Sequence, residues 1–399
     1  MNILVLNCGS SSIKYQLLDM SQSSAILAKG IVEKIGLPMG SFTHKPTGKD
    51  KLEVEEPIPD HTVGINLVLK ALVDASHGVI SSLNDIKAVG HRVAHGGEYF
   101  SCSVRIDGEV KKKIEACCAL APLHNPAHLK GIDTMEELLP SVPQVAVFDT
   151  SFHQTLPKEA YIYGIPYKYY EKYSIRRYGF HGTSHKFVAE KACNLLGWNM
   201  QEKKIITCHL GNGSSITAIH HGKSIDTSMG FTPNAGVLMG TRTGDLDLGV
   251  LLFLCEKEGL TTAQANDLIN KQSGLLGVSE NSSDCRELQD AASKGCEKSQ
   301  LALDILAYTV KKYIGSYMAV LNGVDLIIFT GGIGENDYDV RQKVCEDMTN
   351  LGIDFDAQVN DKLRGKDTIL TKPGSPITVM TITTDEELVI ATDTMKLIR

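Results

Sequence analysis

The sequence lacks any apolar run close to the roughly 18 residues that a membrane-spanning helix needs. It also lacks an excess of basic residues, because 40 Lys and Arg stand against 47 Asp and Glu, a formal net charge of −7. That balance argues against a general nucleic-acid binder. No basic start followed by an apolar stretch and a cleavage site is present, so no secretory signal is visible. These absences predict no membrane partner and no nucleic-acid partner.

Disulfide and zinc frameworks are also missing. The ten cysteines include no Cys-x-x-Cys pair, and Cys117 and Cys118 are adjacent, which suits neither a zinc ribbon nor a disulfide scaffold. We therefore expect reduced thiols and a cytoplasmic protein. With 399 residues, 42% hydrophobic and 22% charged, the chain has the composition of ordinary globular domains, and its length favours two or three of them.

Two passages about two hundred residues apart share one pattern. An apolar run at residues 3–6 leads into a Gly/Ser turn at 7–12 and an alternating segment, and the same order recurs over residues 205–219. Each passage is typical of a β-hairpin. Unless the similarity of two Gly/Ser turns is chance, the protein consists of two similar α/β halves.

The remaining apolar segments predict further elements around these hairpins. Buried strands are expected at 88–93, 145–148 and 326–330, and ligands of α/β folds gather at the carboxyl ends of such strands. Helices are expected at 125–139, 185–196, 250–258, 263–271, 299–321 and 386–398. Residues 36–62, rich in proline and glycine, indicate an irregular or edge-strand excursion.

Glycine-rich turns follow three of the predicted strands, at residues 7–12, 211–215 and 331–336, and a further one covers 240–245. Glycine lets backbone N–H groups approach an anion closely. One such turn alone is more often structural, but four in one chain favour a nucleotide.

The common nucleotide motifs do not fit. The nearest Walker A candidate, Gly222-Lys223-Ser224, has Thr217 in place of the first glycine. The HRD and DFG elements of protein kinases are absent. Gly9 is followed by serines instead of the Gly-x-Gly-x-x-Gly pattern of dinucleotide sites.

Charged and imidazole side chains lie beside several of these turns. His181 and His185 have the i,i+4 spacing of a zinc pair, but an acidic partner is missing, and a histidine at a helix entry facing a phosphate fits better. Arg92 and Arg242 are candidate anion clamps, although a structural salt bridge is an equal alternative for either one. Asp149 follows a predicted strand, where it suits a metal–water ligand or a catalytic carboxylate. Glu386–Glu387 suits either an Mg²⁺ site or the cap of the final helix.

In these motifs the chain resembles the acetokinase family of carboxylate kinases, within the actin/hexokinase/chaperone-ATPase superfamily. The similarity runs from about residue 3 to residue 390. It is carried by NCGSSSIK at 7–14, GHRVAHGG at 90–97, FDTSFHQT at 148–155, RRYGFHGTSH at 176–185, HLGNGSSI at 209–216, GTRTGDLD at 240–247 and FTGGIGEN at 329–336.

The resemblance implies an α/β fold with two duplicated ribonuclease-H-like (actin-like ATPase) domains around a central cleft. The N-terminal domain would span residues 1–150 and be completed by a C-terminal helix at 384–399. The C-terminal domain, 151–383, would be the main nucleotide-binding domain. Members of the family usually pair as homodimers.

The resemblance also implies an activity. This is the reversible transfer of the γ-phosphoryl group of ATP to acetate, giving acetyl phosphate and ADP, with Mg²⁺ as cofactor and Mn²⁺ as an alternative ion. A non-enzymatic, ATP-driven switch such as actin or a chaperone ATPase is the alternative that the superfamily fold alone permits.

Site residues follow from the family match. The catalytic set is Arg92, Asp149, His181 and Arg242, and the metal set is Asn7 and Glu386. The carboxylate would contact Arg92, Ala94, Leu123, Phe180 and Pro233. ATP would contact Lys14, His209, Leu210, Gly211, Asn212, Gly213, Gly332, Ile333, Gly334, Glu335 and Asn336. Because the acceptor carboxylate is already an anion, no general base is needed, and we predict that Asp149 positions metal, water or arginine.

One position departs from the usual family pattern in a way that bears on substrate size. Acetate-selective members often carry valine where this chain has Ala94. The two missing methyl groups leave room for one more methylene, worth roughly 1 kcal/mol in an apolar pocket. A propionate or butyrate kinase with a relaxed acyl pocket is therefore the alternative substrate assignment. Asp385 also stands where asparagine is common, and we attach no consequence to that change.

Overall fold

The computed structural model describes residues 1–21, 24–122 and 124–399. The chain divides into two compact units, of which unit 1 comprises Met1–Gln154 with Asp385–Arg399, and unit 2 comprises Thr155–Thr384. No helix within the described ranges is long and apolar enough to cross a membrane. All ten cysteines are free thiols, as expected.

Unit 1 is built on an eight-stranded sheet. Its strands are β1 (Asn2–Cys8), β2 (Ser12–Asp19), β3 (Ala25–Glu33), β4 (Gly40–Pro46), β5 (Leu52–Glu56), β6 (Ile86–Val93), β7 (Val104–Arg105) and β8 (Gln144–Phe148). They lie in the order β5-β4-β3-β2-β1-β6-β8-β7. Strands β1, β6 and β8 are parallel to one another. Its helices are α1 (His61–Leu72), α2 (Gly108–Ala116), α3 (Asn125–Leu138) and the C-terminal helix (Glu386–Ile398).

The alternation along β1 explains why helices cover both faces of this sheet. Successive side chains of a strand point to opposite faces. Leu4 and Leu6 pack into the cluster formed with α1 and α3, whereas Ile3 and Val5 pack with Ile390 of the C-terminal helix. Because β1 is buried on both faces of the sheet, its sequence is a continuous apolar run.

Unit 2 is built on a six-stranded sheet. Its strands are β9 (Lys204–Leu210), β10 (Ser214–His220), β11 (Lys223–Thr227), β12 (Leu326–Thr330), β13 (Thr368–Ile369) and β14 (Thr378–Thr381), in the order β11-β10-β9-β12-β14-β13. Its helices are α4 (Lys158–Tyr161), α5 (Lys168–Tyr173), α6 (Gly182–Leu196), α7 (Leu248–Glu258), α8 (Thr262–Lys271), α9 (Gly274–Ser279), α10 (Cys285–Ser293), α11 (Glu297–Val320), α12 (Gly331–Asn336), α13 (Tyr338–Cys345) and α14 (Ala357–Asn360).

The two sheets repeat one arrangement. The strands β3-β2-β1-β6-β8 correspond in order and direction to β11-β10-β9-β12-β14, with an antiparallel hairpin followed by two parallel neighbours in each. Both hairpins turn through the Gly/Ser segments found in the sequence. This confirms the predicted α/β fold with two similar halves.

Three local expectations change. Residues 331–336 form the short helix α12 instead of a turn, because the Glu335 carboxylate accepts the backbone N–H of Gly331 and stabilises the helix start. Residues 36–62 contain the outer strands β4 and β5, so the edge-strand alternative is the correct one. Helix α1, which begins at His61 after the capping side chain of Asp60, was not expected from the sequence.

Candidate active site

In unit 1, an arginine is held at the carboxyl edge of the parallel strands. Arg92 lies near the end of β6, and Asp149 follows β8 directly. The Arg92 Nε donates to Asp149 Oδ1 at 3.0 Å and Nη2 donates to Oδ2 at 2.6 Å. Nη1 also donates to Oδ1 of Asn7, near the end of β1, at 3.4 Å. The paired, forked contact fixes the guanidinium plane as few other side-chain pairs can.

The charged side chains around Arg92 shift one another's pKa values. Asp149 is buried, with its side chain 3% exposed, and its charge raises the pKa of the Arg92 guanidinium above the usual value. Burial raises the pKa of Glu386 to about 7, and Asp149 and Glu387 add to that effect, whereas Arg92 and Lys14 oppose it. Glu386 therefore lies among carboxylates that a nearby cation would stabilise.

Both predicted metal ligands lie near Arg92: Asn7 accepts its hydrogen bond, and the charge of Glu386 adds to that of Asp149 in raising its pKa. Within the described residues no group of three or more His, Cys, Asp or Glu side chains could hold a metal by itself. Mg²⁺ in kinases usually takes one or two protein oxygens and completes its shell with water and phosphate. The oxygen donors of Asn7 and Glu386 fit that chemistry. Asp385 caps the C-terminal helix by accepting the N–H of Leu388, so Glu386 is not its cap.

In unit 2, His181 occupies the position before α6. Its φ of +57° is left-handed, which is uncommon for a residue other than glycine and often marks a functional site. Its Nδ1 shares a hydrogen bond of 2.9 Å with Ser215 Oγ, and its ring stacks on His209 at 4.2 Å between centroids. The histidine at the helix entry that the sequence predicted is therefore held in one orientation.

Arg242 lies beside the same group. A Cβ built on Gly213 would be 3.3 Å from Arg242 Nη1 and 3.5 Å from His181 Cε1, so these three residues are neighbours. Arg242 Nη1 donates to the carbonyl of Pro233 at 2.9 Å, and burial lowers the Arg242 pKa. The result is a partly desolvated cation next to an imidazole, an arrangement suited to a phosphoryl group.

A cavity of about 640 Å³ in unit 2 brings together five of the predicted ATP contacts. These are Gly211, Asn212, Gly332, Ile333 and Asn336. Sequence reasoning missed seven further residues that line it: Ser283, Asp284, Cys285, Arg286, Gln289, Asp337 and Arg364. The available signal was an Asp at the start of α10 with an Arg two residues later, paired at 2.6 Å, but exposed pairs of this kind are common.

Two glycines of this region are required by close approach. A Cβ at Gly240 would lie 1.9 Å from Asn212 Oδ1. Gly331 has φ +78°, and a Cβ there would lie 2.7 Å from the carbonyl oxygen of Leu210. These two glycines therefore allow the loop at Gly240 to pack closely against Asn212, and the start of α12 to pack closely against Leu210.

Other predicted residues lie elsewhere. Lys14 and Ala94 belong to unit 1, whereas Phe180 and Pro233 belong to unit 2. Leu123 lies outside the described residues. The side chain of Leu210 is buried in the core, so only its backbone can meet a ligand. Among the ATP set, His209, Gly213, Gly334 and Glu335 are not part of the lining of the cavity.

Comparison with known proteins identifies the family. The model of the acetokinase family matches residues 2–392. This chain belongs to the acetokinase family. Over 398 residues it is 54% identical to a relative from Carboxydothermus hydrogenoformans named acetate kinase, covering 100% of this chain and 99% of that one.

Solved structures extend the acetokinase comparison to the fold. The chain matches the crystal structure of Porphyromonas gingivalis acetate kinase with a TM-score of 0.96 and 51% identity, covering 100% of both chains. It also matches the structure of a propionate kinase from Francisella tularensis with a TM-score of 0.92 and 42% identity, covering 99% of both.

Proposed function

We propose that this chain is an acetate kinase that transfers the γ-phosphoryl group of ATP reversibly to acetate. The observation that carries the proposal is Arg92, a guanidinium held in a fork by buried Asp149 at the edge of a parallel sheet, in a chain of the acetokinase family. Carboxylates and phosphates are the anions that an oriented guanidinium recognises, and within this family the carboxylate is the substrate that distinguishes the reaction.

The reaction needs positioning and charge more than covalent help. An acetate oxygen attacks the γ-phosphorus, the bond to the β-phosphate oxygen breaks, and ADP leaves with that electron pair. No proton has to move, because acetate is already ionised. Arg92 binds the acetate carboxylate, and Arg242 with His181 stabilises charge on the phosphoryl group. Asp149 orients Arg92.

Magnesium is part of this proposal. Asn7 and Glu386 would hold Mg²⁺, with Mn²⁺ as an alternative ion, together with phosphate oxygens of ATP. When bound, the ion neutralises phosphate charge during transfer. The raised pKa of Glu386 supports a cation at this place, because a carboxylate buried among other carboxylates gains from a positive neighbour.

The domain roles follow the division of the residues. We propose that residues 151–383 form the main nucleotide-binding domain, supported by the 640 Å³ cavity that contains the glycines of two predicted ATP motifs. Residues 1–150, completed by 384–399, would supply the carboxylate clamp and the metal ligands.

A panel of carboxylates tests the function. The purified chain is incubated with ATP, Mg²⁺ and acetate, propionate or butyrate, and acyl phosphate is trapped with hydroxylamine. Acetate is expected to give acetyl hydroxamate, and Arg92→Ala to abolish it. Hydrolysis of ATP without hydroxamate from any carboxylate would point to an ATP-driven switch and defeat the proposal.

Propionate is a second candidate substrate. Ala94 is buried and smaller than valine, and the chain resembles a solved propionate kinase throughout. We expect appreciable kcat/KM with propionate, and about a tenfold loss in Ala94→Val, with acetate changing less than threefold. The ratio of the two substrates in one preparation cancels any loss of folded protein. A wild-type preference for acetate above a hundredfold would exclude this candidate.

We also propose a cytoplasmic homodimer. Ten free thiols support a reducing compartment. Helix α7 supports self-association, because it has no buried residue although its sequence is apolar. Leu248, Leu252 and Phe253 are 73%, 70% and 57% exposed, which is unusual for isolated subunits and typical of an interface.

A further inference from the structure

Glu335 is the penultimate residue of α12, but its carboxylate reaches back to the start of that helix. One oxygen, Oε1, accepts hydrogen bonds from Thr330 Oγ1 at 3.2 Å and from the backbone N–H of Gly331 at 3.0 Å. The same oxygen accepts the backbone N–H of Thr384 at 3.0 Å. The flanking residues Gly332, Ile333 and Asn336 line the nucleotide cavity, whereas Glu335 is not part of its lining.

Thr384 continues the path towards the histidines. Its Oγ1 shares a 2.8 Å hydrogen bond with Ser184 Oγ, and Ser184 Oγ shares another of 2.8 Å with His209 Nδ1. The His209 ring stacks on His181. A chain of contacts within unit 2 thus joins the start of α12 to the proposed catalytic histidine.

Helix α12 depends on such an anchor. It has only six residues, three of them glycine, and glycine costs about 1 kcal/mol per helical position relative to alanine. Its first N–H groups have no partner inside the helix. The Glu335 carboxylate accepts one of them, the N–H of Gly331, in a charge-assisted bond roughly twice as strong as a neutral one.

We infer that Glu335 is a positioning residue that fixes the start of α12 and Thr384 to one another, instead of a contact to ATP as the family motif implied. Thr384 is also the last residue of unit 2, and the chain reaches the proposed metal ligand Glu386 two residues later. Only the kinetic consequence of this inference rests on the proposed function.

Amide hydrogen exchange tests the anchor without any substrate. In Glu335→Ala, exchange of the segments 329–336 and 381–386 is expected to accelerate at least tenfold together. Glu335→Gln keeps an acceptor oxygen and is expected to stay within threefold of the wild type. The matched control is Glu346→Gln, an exposed glutamate of the same unit, which should change neither segment. Unchanged exchange at 381–386 in Glu335→Ala would overturn the inference.

Kinetics supply the second readout, and Glu335→Asp replaces Glu335→Ala if the latter does not fold. A positioning role predicts that kcat falls at least thirtyfold in Glu335→Ala and recovers to within tenfold in Glu335→Gln, while KM for acetate stays within twofold. A direct ATP contact would instead raise KM for ATP with kcat unchanged, which contradicts the inference. If the wild type makes no acyl phosphate, the proposed function fails, and the exchange result still decides the role of Glu335.

Discussion

Asp149 and Arg92 form a forked ion pair in unit 1. The carboxylate is buried, and both of its oxygens are engaged by the guanidinium. A carboxylate committed in this way orients its partner and is poorly placed to accept a proton from substrate. In unit 2 the surrounding contacts likewise fix His181, because they maintain its left-handed backbone with a φ of +57°.

Replacing Asp149 tests this role. In Asp149→Asn the amide can accept only one of the two guanidinium bonds, so we expect kcat/KM for acetate to fall about a hundredfold. The pH profile of the remaining activity should keep its shape, because no proton acceptor has been lost.

Asp133→Asn is the matched control, since that half-exposed carboxylate pairs with Lys111 in unit 1, and it should behave as the wild type. An Asp149→Asn enzyme whose pH profile has lost or shifted a limb would show that Asp149 acts as an acid or base.

Among the secondary-structure elements, the two hairpins are predicted most fully by the sequence. The apolar runs before residues 7–12 and 211–215 indicate strands, and both hairpins are present with the expected turns. The meeting of Arg92 and Asp149 in an ion pair was also foreseeable, because parallel strands deliver their last residues to one edge; the anion-clamp role of Arg92 stays a prediction.

Loop packing next to the proposed nucleotide cavity is the second feature of the elements. Gly240 and Gly315 form a matched pair, because a Cβ at Gly240 would lie 1.9 Å from Asn212 Oδ1, whereas at Gly315 in α11 it would meet nothing within 4 Å. We expect Gly240→Ala to raise KM for ATP at least tenfold by displacing Asn212. Gly315→Ala should leave KM unchanged and stabilise the helix by up to about 1 kcal/mol. Equal KM values in the two variants would contradict this account.

Strand β6 carries a titratable group whose protonation opposes folding. His91 is buried, its Nε2 lies 2.6 Å from Gln144 Oε1, and burial lowers its pKa from 6.5 to about 4. The unfolded chain therefore binds this proton first as the pH falls. The contribution of neutral His91 is fully present above pH 6.5 and is lost progressively towards pH 4, by about 3 kcal/mol.

Urea unfolding between pH 8 and pH 4.5 measures this effect. His91→Gln has no group that titrates here, so its free energy of unfolding should decline less steeply with acid than that of the wild type. Comparison at pH 8, where His91 is neutral, corrects for altered packing. Parallel declines would exclude His91 as a source of the acid sensitivity.

Other parts of the site could not be predicted from the sequence. Asp284 and Arg286 reach the 640 Å³ cavity because α10 packs beside the glycine-rich segments, a tertiary arrangement without a local pattern. The glycines of α12 predict a turn, because their helix propensity is low, but the hydrogen bonds that Glu335 accepts from the backbone N–H groups of Gly331 and of the distant Thr384 stabilise a helix instead. The acyl pocket around Ala94 stays a prediction, since its residues are divided between the units and Leu123 is outside the described chain.

At the scale of the whole molecule, the exposed apolar face of α7 predicts self-association. Leu252→Glu should convert a dimer into a monomer in sedimentation velocity, because a charge in an apolar interface is costly. Leu301→Glu is the control, since Leu301 is also half exposed but lies on α11, and it should remain dimeric. A wild-type monomer, or a dimer unaffected by Leu252→Glu, would show that α7 is not a dimer interface.

The net charge of −7 is a further property of the whole molecule. It gives no indication of the ligands, because the proposed substrates are all anions and their proposed contacts are the individual cationic side chains of Arg92 in unit 1 and Arg242 in unit 2. Binding of ATP and acetate should therefore depend on Arg92 and Arg242 and not on the surface average.

The most direct test of the central claim is ³¹P NMR of the reverse reaction. The purified chain is mixed with acetyl phosphate, ADP and Mg²⁺, and the signals are followed over time. We expect acetyl phosphate to disappear as the γ-phosphate signal of ATP grows in equal amount, and Arg242→Ala to stop both changes. Conversion of acetyl phosphate to inorganic phosphate without ATP, or no change in the wild type, would contradict the assignment of this chain as an acetate kinase.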